Sequence, residues 1–257
     1  MNRFKELLKK GKKPMGTFIE SCSPYVVEAT GQTGLDFIII DNEHSPIDAE
    51  KSADLVKAAE LTGLTPFCRV REISRSSVLK LLDIGAQGLI IPNVKTVDEV
   101  KKLVEWTKYA PIGGRGFCPS RKDGFGYRLN MTVPETMRYF NEEVLLIPQC
   151  ETVEALEKIE QIANLEGVDG IFIGPFDLSI SMGMPGDFEN PVFREALEKI
   201  ITTVHKAGKF TIMFAGTEQK VREAYASGND SVAYSLDMDH YIQAIRKAVS
   251  AFKNTIR

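Results

Sequence analysis

Three titratable side chains follow a short apolar run early in the chain. The run 37–40 leads directly into Asp41, Glu43 and His44, and the chain has three histidines in all. A histidine that titrates near neutral pH can act as a general base, and a neighbouring carboxylate can fix its tautomer. This segment is therefore a candidate catalytic loop; the alternative is a solvated loop with a structural histidine.

Two further carboxylates follow apolar runs in the second half of the chain. Gln149 and Glu151 come after the run 144–147, and their spacing of two puts them on the same side of an extended chain. The run 170–173 leads through a glycine-containing turn to Asp177. Glu151 and Asp177 suit a hard divalent cation whose other ligands are waters or substrate oxygens. The alternative is that each carboxylate caps the helix that follows it.

Arginines mark the end of another apolar run. The run 66–70 contains Arg69 and is followed by Arg71. A guanidinium at a buried strand end needs an anion, because burying a charge without a partner is costly. The spacing does not decide which of the two faces the site, or whether either pairs with a neighbouring carboxylate instead.

Eight short apolar, β-branched runs predict buried parallel strands, and amphipathic patterns between them predict helices. The strands are predicted over 16–19, 37–40, 66–70, 88–91, 144–147, 170–173, 210–214 and 231–234. The helices are predicted over 24–33, 48–62, 74–84, 97–108, 153–164, 191–206, 217–226 and 239–252. Their alternation predicts an α/β fold, a (β/α)8 barrel that forms a single domain over residues 1–257, with a doubly wound open sheet as the alternative. Active-site groups in such a barrel project from the carboxyl ends of the strands.

The composition excludes several classes of protein. Lys and Arg total 32 and Asp and Glu total 35, so the net charge of -3 argues against a nucleic-acid partner. No apolar run approaches the roughly 18 residues that span a bilayer, so we expect no membrane partner. The cysteines Cys22, Cys68, Cys118 and Cys150 lie far apart, which is typical of reduced thiols in a cytoplasmic protein.

Residues 109–141 form a long connection after the predicted helix 97–108 and carry glycines at 113, 114 and 116. Connections of this length inside a compact domain are usually functional. The segment is therefore predicted to be a functional loop.

Five segments together resemble the HpcH/HpaI aldolase family of class II, metal-dependent pyruvate aldolases, which have a (β/α)8 barrel. The segments occur in order and extend over nearly the whole chain. They are DNEHSP at 41–46, RV at 69–70, LDIGAQG at 82–88, QCET at 149–152 and GPFDLS at 174–179.

The resemblance implies a metal and substrate site. Glu151 and Asp177 match the family's metal ligands, with Mg²⁺, Mn²⁺ or Co²⁺ as the cation. The backbone N–H groups of Phe176 and Asp177 match those that hold the substrate carboxylate, and Gln149 matches a residue that lines the same pocket.

The resemblance also implies catalytic roles. Arg69 matches the arginine that stabilises the enolate oxygen, His44 matches the base, and Asp83 matches the acid that pairs with that histidine. The implied reaction is reversible cleavage of a 4-hydroxy-2-oxo acid to pyruvate and an aldehyde through a metal-stabilised enolate. No lysine lies at a matching strand end, which disfavours the Schiff-base route.

The carbonyl partner stays open, because this sequence departs from the family pattern near the site. Phe176 stands where many members have alanine, Asn42 and Ser45 flank the histidine, and Arg71 replaces a common proline. One alternative function is a related lyase or decarboxylase that acts on oxaloacetate. Another is a non-catalytic metabolite-binding barrel, although His44, Arg69, Glu151 and Asp177 are all present.

The resemblance further implies a homo-oligomer, commonly a hexamer built from dimers that exchange a C-terminal helix, here residues 239–253. Tyr241, Ile245, Ala248 and Phe252 share one face of that helix. The same face could instead cover the helix's own barrel.

Overall fold

Eight parallel strands close into a barrel, in chain order, within residues 2–127 and 130–255, which the computed structural model describes. Each strand pairs with the next along the chain, and the last pairs with the first. The (β/α)8 barrel is thereby confirmed and the open sheet is excluded. The strands are β1 (Met15–Ile19), β2 (Phe37–Asp41), β3 (Thr65–Arg69), β4 (Gly88–Ile91), β5 (Leu145–Cys150), β6 (Gly170–Ile173), β7 (Phe210–Ala215) and β8 (Ser231–Leu236).

The strand predictions hold to within two residues except at β5. That strand continues three residues beyond the predicted end, so Gln149 lies inside it. All residues of β5 are buried, and the polar Gln149 is tolerated there because the strand ends at the barrel mouth.

Helices surround the barrel and connect consecutive strands. They are α1 (Arg3–Lys9), α2 (Pro24–Thr30), α3 (Ala49–Thr62), α4 (Arg75–Asp83), α5 (Val97–Thr107), α6 (Val133–Glu143), α7 (Val153–Glu157), α8 (Ile159–Ala163), α9 (Pro175–Ser181), α10 (Pro191–Lys206), α11 (Glu218–Ala226) and α12 (Asp237–Thr255). The predicted helix over 153–164 is interrupted at Lys158, and its second half, α8, packs against α10 and α5.

The interpretation of 109–141 as a loop is wrong for its last part. Helix α6 begins there, and its start carries the usual signals: Thr132 precedes it, Pro134 lies in the first turn, and Glu135 completes a capping box. A short 3-10 turn, Arg121–Asp123, lies earlier in the same connection.

The amino-terminal helix α1 closes the bottom of the barrel, where the strands begin. Phe4 is fully buried, and its ring meets those of Phe37, Phe67 and Phe210 edge-on at 5.1 to 5.3 Å. The backbone N–H of Phe4 donates to Thr65 Oγ1 at 3.2 Å. The barrel interior is thus a packed aromatic core that α1 covers from below.

The carboxy-terminal helix α12 packs against β1 and β8. Beyond that contact its apolar face stays exposed, with 65% of Tyr241, 49% of Ile245 and 65% of Phe252 accessible to solvent. The alternative that this face packs on the barrel of its own chain is therefore excluded. Within the described parts of the chain, no helix combines the length and the apolar character needed to cross a membrane.

Candidate active site

Polar side chains at the barrel mouth continue the inward-facing rows of the strands. In four strands an apolar residue of the barrel interior is followed, two positions later, by a polar residue on the same face. The interior residues are Phe18, Ile39, Phe67 and Ile147, and the corresponding polar residues are Glu20, Asp41, Arg69 and Gln149. The carboxyl ends of the strands therefore bring together groups that are far apart in sequence.

Arg69 is held in one orientation by two carboxylates. Its Nε and Nη2 donate to the two oxygens of Asp41 at 2.8 and 2.6 Å, and Nη1 lies 3.1 Å from Glu43 Oε2. The guanidinium also lies 4.9 Å above the ring of Phe18. Burial acts to lower the pKa of Arg69, but the hydrogen bond and charge of Asp41 outweigh it and raise the pKa, so the group stays cationic.

Asp41 lies in the predicted catalytic loop, but sequence reasoning gave it no role of its own. It is completely buried, and its Cα pairs in register with that of Arg69 across β2 and β3. The signal was available, because a carboxylate that ends an all-apolar strand needs a cation. Arg71, the other candidate for this position, is exposed.

His44 lies in the loop after β2, with 65% of its side chain exposed. Its backbone N–H donates to Asp41 Oδ1 at 3.4 Å, and its Nε2 lies 3.7 Å from Glu43 Oε2. The carboxylate beside this histidine within the chain is therefore Glu43.

Asp83 does not lie beside His44. It ends α4, which leads into the start of β4, so it is at the bottom of the barrel, opposite the mouth. There it accepts a hydrogen bond from Arg115 Nη2 at 2.8 Å and lies 3.4 Å from Lys122 Nζ. The pairing with His44 implied by the family resemblance is absent within the described chain, because the two residues are at opposite ends of one barrel.

Glu151 is a buried carboxylate in the mouth. Its Oε1 accepts from the backbone N–H of Asn93 at 2.5 Å, and its Oε2 accepts from Gln149 Nε2. Burial, and the nearby charges of Asp177 and Glu43, raise the pKa of Glu151 to about 7. A Cβ added to Gly174 would lie 2.8 Å from Glu151 Oε2, so this glycine gives the carboxylate its space.

Asp177 lies in the first turn of α9 and is exposed to the mouth. Neither it nor Glu151 caps a helix: the residue before α9 is Gly174, and Thr152 caps α7 by accepting from the N–H of Ala155. The alternative that the two carboxylates serve only as helix caps is therefore excluded.

The donor set fits a hard divalent cation. The charge of Asp177 helps to raise the pKa of Glu151, and two carboxylates this close favour a cation between them. Gln149 Oε1 is buried and has no partner in the described chain, so it is available to a ligand. Across the described residues there is no group of three or more His, Cys, Asp or Glu placed to hold a metal.

Phe176 forms the wall between the mouth and a neighbouring cavity. It is 49% exposed, and its ring meets that of Phe188 at 5.0 Å and that of Phe214 at 6.1 Å. The cavity, of about 760 Å³, lies between α10 and α11 and is lined largely by apolar side chains. Arg69, Glu151 and Asp177 are not among the residues that line this cavity.

Comparisons with known proteins agree with this architecture. A model of the HpcH/HpaI aldolase/citrate lyase family matches residues 14–244. A 2-keto-3-deoxy-L-rhamnonate aldolase from Escherichia coli O17:K52:H18 is 33% identical, over 98% of this chain and 94% of the relative.

Two solved structures are similar to this chain over nearly its whole length. An HpcH/HpaI aldolase from Desulfitobacterium hafniense DCB-2 is similar with a TM-score of 0.91 at 29% identity, over 98% of this chain and 97% of that one. The citrate synthase SbnG is similar with a TM-score of 0.88 at 28% identity, over 98% of both chains. The chain therefore belongs to the HpcH/HpaI aldolase/citrate lyase family and is an enzyme, a lyase of the metal-dependent class II pyruvate aldolase type.

Proposed function

We propose that the enzyme reversibly cleaves a 2-keto-3-deoxy sugar acid, a 4-hydroxy-2-oxo acid, to pyruvate and a hydroxyaldehyde. The observation that carries this proposal is the fixed cationic Arg69 beside Glu151, a carboxylate whose pKa is also raised by the charge of Asp177. The relative named as a 2-keto-3-deoxy-L-rhamnonate aldolase supports this class of substrate.

Glu151 and Asp177 would hold the divalent cation, Mg²⁺, Mn²⁺ or Co²⁺. A cation there would supply Lewis-acid polarisation of the substrate's 2-oxo group. Gln149 and the backbone N–H groups of Phe176 and Asp177 would orient the substrate carboxylate in the same pocket.

In the cleavage direction His44 accepts the proton of the C4 hydroxyl, and the C3–C4 bond breaks to release the aldehyde. The electron pair of that bond passes to the pyruvate fragment, where negative charge develops on the 2-oxo oxygen. Arg69 donates hydrogen bonds to that oxygen from a position that needs no rearrangement. A proton from solvent then adds at C3 to give pyruvate, and His44 returns its proton to solvent.

Asp83 orients His44 in this proposal only across two copies of the chain. The two residues lie at opposite ends of one barrel, and both are partly exposed, Asp83 at 36% of its side chain. Within one copy, Glu43 takes the orienting position beside His44.

The assembly we propose is a homo-oligomer, a hexamer by family resemblance, in which copies exchange the segment 239–253. The exposed apolar face of α12 supports contact with another copy. We further infer that the enzyme acts in the cytoplasm, which the free thiols of Cys22, Cys68, Cys118 and Cys150 support.

The test of function is aldol chemistry with and without metal. Wild-type protein treated with a chelator should lose pyruvate release from 4-hydroxy-2-oxo acids, and Mg²⁺, Mn²⁺ or Co²⁺ should restore it. A Glu28→Gln variant, which removes a carboxylate from the outer face of α2, should respond as the wild type does. Full activity in metal-stripped protein would overturn the proposal.

A second candidate is a lyase or decarboxylase that acts on oxaloacetate through the same site. The similarity of this chain to a citrate synthase, over 98% of its length, supports this second candidate. The rates of pyruvate release from oxaloacetate and from 4-hydroxy-2-oxo acids, measured side by side, discriminate between the two.

A further inference from the structure

Glu20 is a carboxylate at the barrel mouth that the mechanism above does not use. It follows β1 directly and lies two positions beyond Phe18, so both side chains face inward. The ring of Phe18 lies under the guanidinium of Arg69. Glu20 therefore stands one layer above Phe18, on the side of the mouth next to the arginine.

The backbone at Glu20 is fixed by Asp237, which begins α12 after β8. Asp237 Oδ1 accepts from the N–H of Glu20 at 3.0 Å, and Oδ2 accepts from the N–H and Oγ of Ser21 at 3.1 and 2.5 Å. Asp237 is itself buried. The position of the Glu20 carboxylate is therefore set by the closure of the barrel between β8 and β1.

Burial and two nearby carboxylates act against a negative charge on Glu20. Burial, then the charges of Asp41 and Asp237, raise the pKa of Glu20 against the opposing effect of Arg69 and His44. The charged form of a carboxylate is therefore destabilised at this position. A carboxylate on an incoming molecule would meet the same environment, and the charge of Glu20 in addition.

The neighbouring acids are already engaged. Asp41 binds Arg69 with both oxygens, and Asp237 accepts from backbone N–H groups. The carboxylate of Glu20, by contrast, has no hydrogen-bond donor and no ion pair among the residues that the structure describes. Of these three acids, Glu20 is therefore the one whose oxygens are available to a bound molecule.

We propose that Glu20 selects the acceptor aldehyde by charge. It accepts a hydrogen bond from a hydroxyl or amide donor of a neutral aldehyde, and it repels an aldehyde that carries a carboxylate or phosphate. This inference rests on the proposed aldolase function and assigns a substrate class to the same site, the neutral polar aldehydes. Like charges near a protein surface interact strongly enough to give a discrimination of about tenfold.

The experiment compares 4-oxobutanamide with 4-oxobutanoate, which have the same shape and differ in charge, as acceptors for pyruvate in the aldol addition. The wild type, loaded with Mg²⁺, should give a kcat/KM about tenfold higher for the amide. Glu20→Gln should bring this ratio to within about twofold of one, and Glu20→Lys should reverse it. Raising the salt concentration should narrow the wild-type ratio, because salt screens charges near the surface.

The control variant is Glu28→Gln, which removes the same charge from the outside of α2 and should keep the wild-type ratio. An unchanged ratio in both Glu20 variants, or an equal change in Glu28→Gln, overturns the inference. Exchange of the pyruvate methyl protons, followed in parallel without aldehyde, tests the pyruvate half of the proposed function. If exchange and both additions are absent in the wild type, the proposed function fails and this inference fails with it.

Discussion

At the scale of single residues, Arg69 combines a fixed position with unused donors. A guanidinium has five N–H donors. Two of them bind Asp41 and a third reaches Glu43. The remaining donors can point to a substrate oxygen without movement of the side chain, which is the property an oxyanion-stabilising group needs.

The roles proposed for His44 and Arg69 belong to different steps of the reaction, and this gives a testable contrast. His44→Ala should lower the rate of aldol cleavage by at least ~10²-fold, as loss of a general base does, and lower pyruvate proton exchange much less. Arg69→Ala should lower both by about 10²–10³-fold, and Arg69→Lys should not restore them, because an ammonium lacks the planar fork. Both rates are measured by NMR. Near-normal cleavage in His44→Ala, or normal exchange in Arg69→Ala, contradicts the assignment.

The raised pKa of Glu151 predicts how stability depends on pH in metal-free protein. The pKa is about 7 when folded, against an ordinary value of 4.5, so the folded state keeps a proton that the unfolded state has lost. The free energy of unfolding should therefore fall as pH rises from about 4.5 to about 7, by on the order of 3 kcal/mol.

Urea unfolding at pH 5 and pH 8 measures this dependence. Glu151→Gln should remove this part of the pH dependence, whereas Glu157→Gln, on the exposed side of α7, should keep it. A wild-type slope that survives in Glu151→Gln would show that other groups cause it.

At the scale of elements, helix α1 acts as a plug for the barrel. Its one buried side chain, Phe4, completes an aromatic cluster with residues near the start of three strands. The sequence of this seven-residue helix does not predict that Phe4 is buried, because its contact partners come from β2, β3 and β7.

Removal of the Phe4 ring should lower the free energy of unfolding. Phe4→Ala removes a fully buried ring and should destabilise the protein by about 3–5 kcal/mol, which lowers the Tm by roughly 10 °C. Leu61→Ala, at a position 80% exposed on α3, should change stability by less than about 0.5 kcal/mol. Equal Tm values for Phe4→Ala and the wild type would show that α1 is not part of the cooperative core.

At the scale of the whole molecule, two contacts of the proposed assembly are not made within the described part of a single chain. The apolar face of α12 is uncovered, and Asp83 lies at the end opposite His44. In the proposed assembly, a second copy of the chain would cover the α12 face and bring an Asp83 to His44.

The assembly is therefore expected to be an oligomer that depends on α12. Sedimentation of the wild type should show a homo-oligomer, and the double change Tyr241→Glu with Ile245→Glu should shift it toward smaller species. The control change Gln243→Glu with Lys247→Gln, which alters the net charge by the same amount on the other side of the same helix, should leave the assembly intact. A stable wild-type monomer, or equal dissociation of both variants, contradicts this.

The sequence by itself determined the barrel and much of its mouth. Strands buried on both faces read as apolar β-branched runs, so seven of the eight were located to within two residues. The rule that active groups follow barrel strands placed Arg69, Glu151 and Asp177 together. The start of α6 was also readable, because Thr132, Pro134 and Glu135 are local signals that require no distant contact.

Only the tertiary structure decided which side chains meet. Arg69, and not Arg71, binds Asp41. Glu43 lies beside His44, and Asp83 lies at the opposite end of the barrel. The tertiary structure also fixed Glu20 through Asp237, a contact across 217 positions of chain. Spacing along a strand tells which residues share a face, but the handedness and closure of the barrel decide which faces point at one another, and these arise only when distant strands pair.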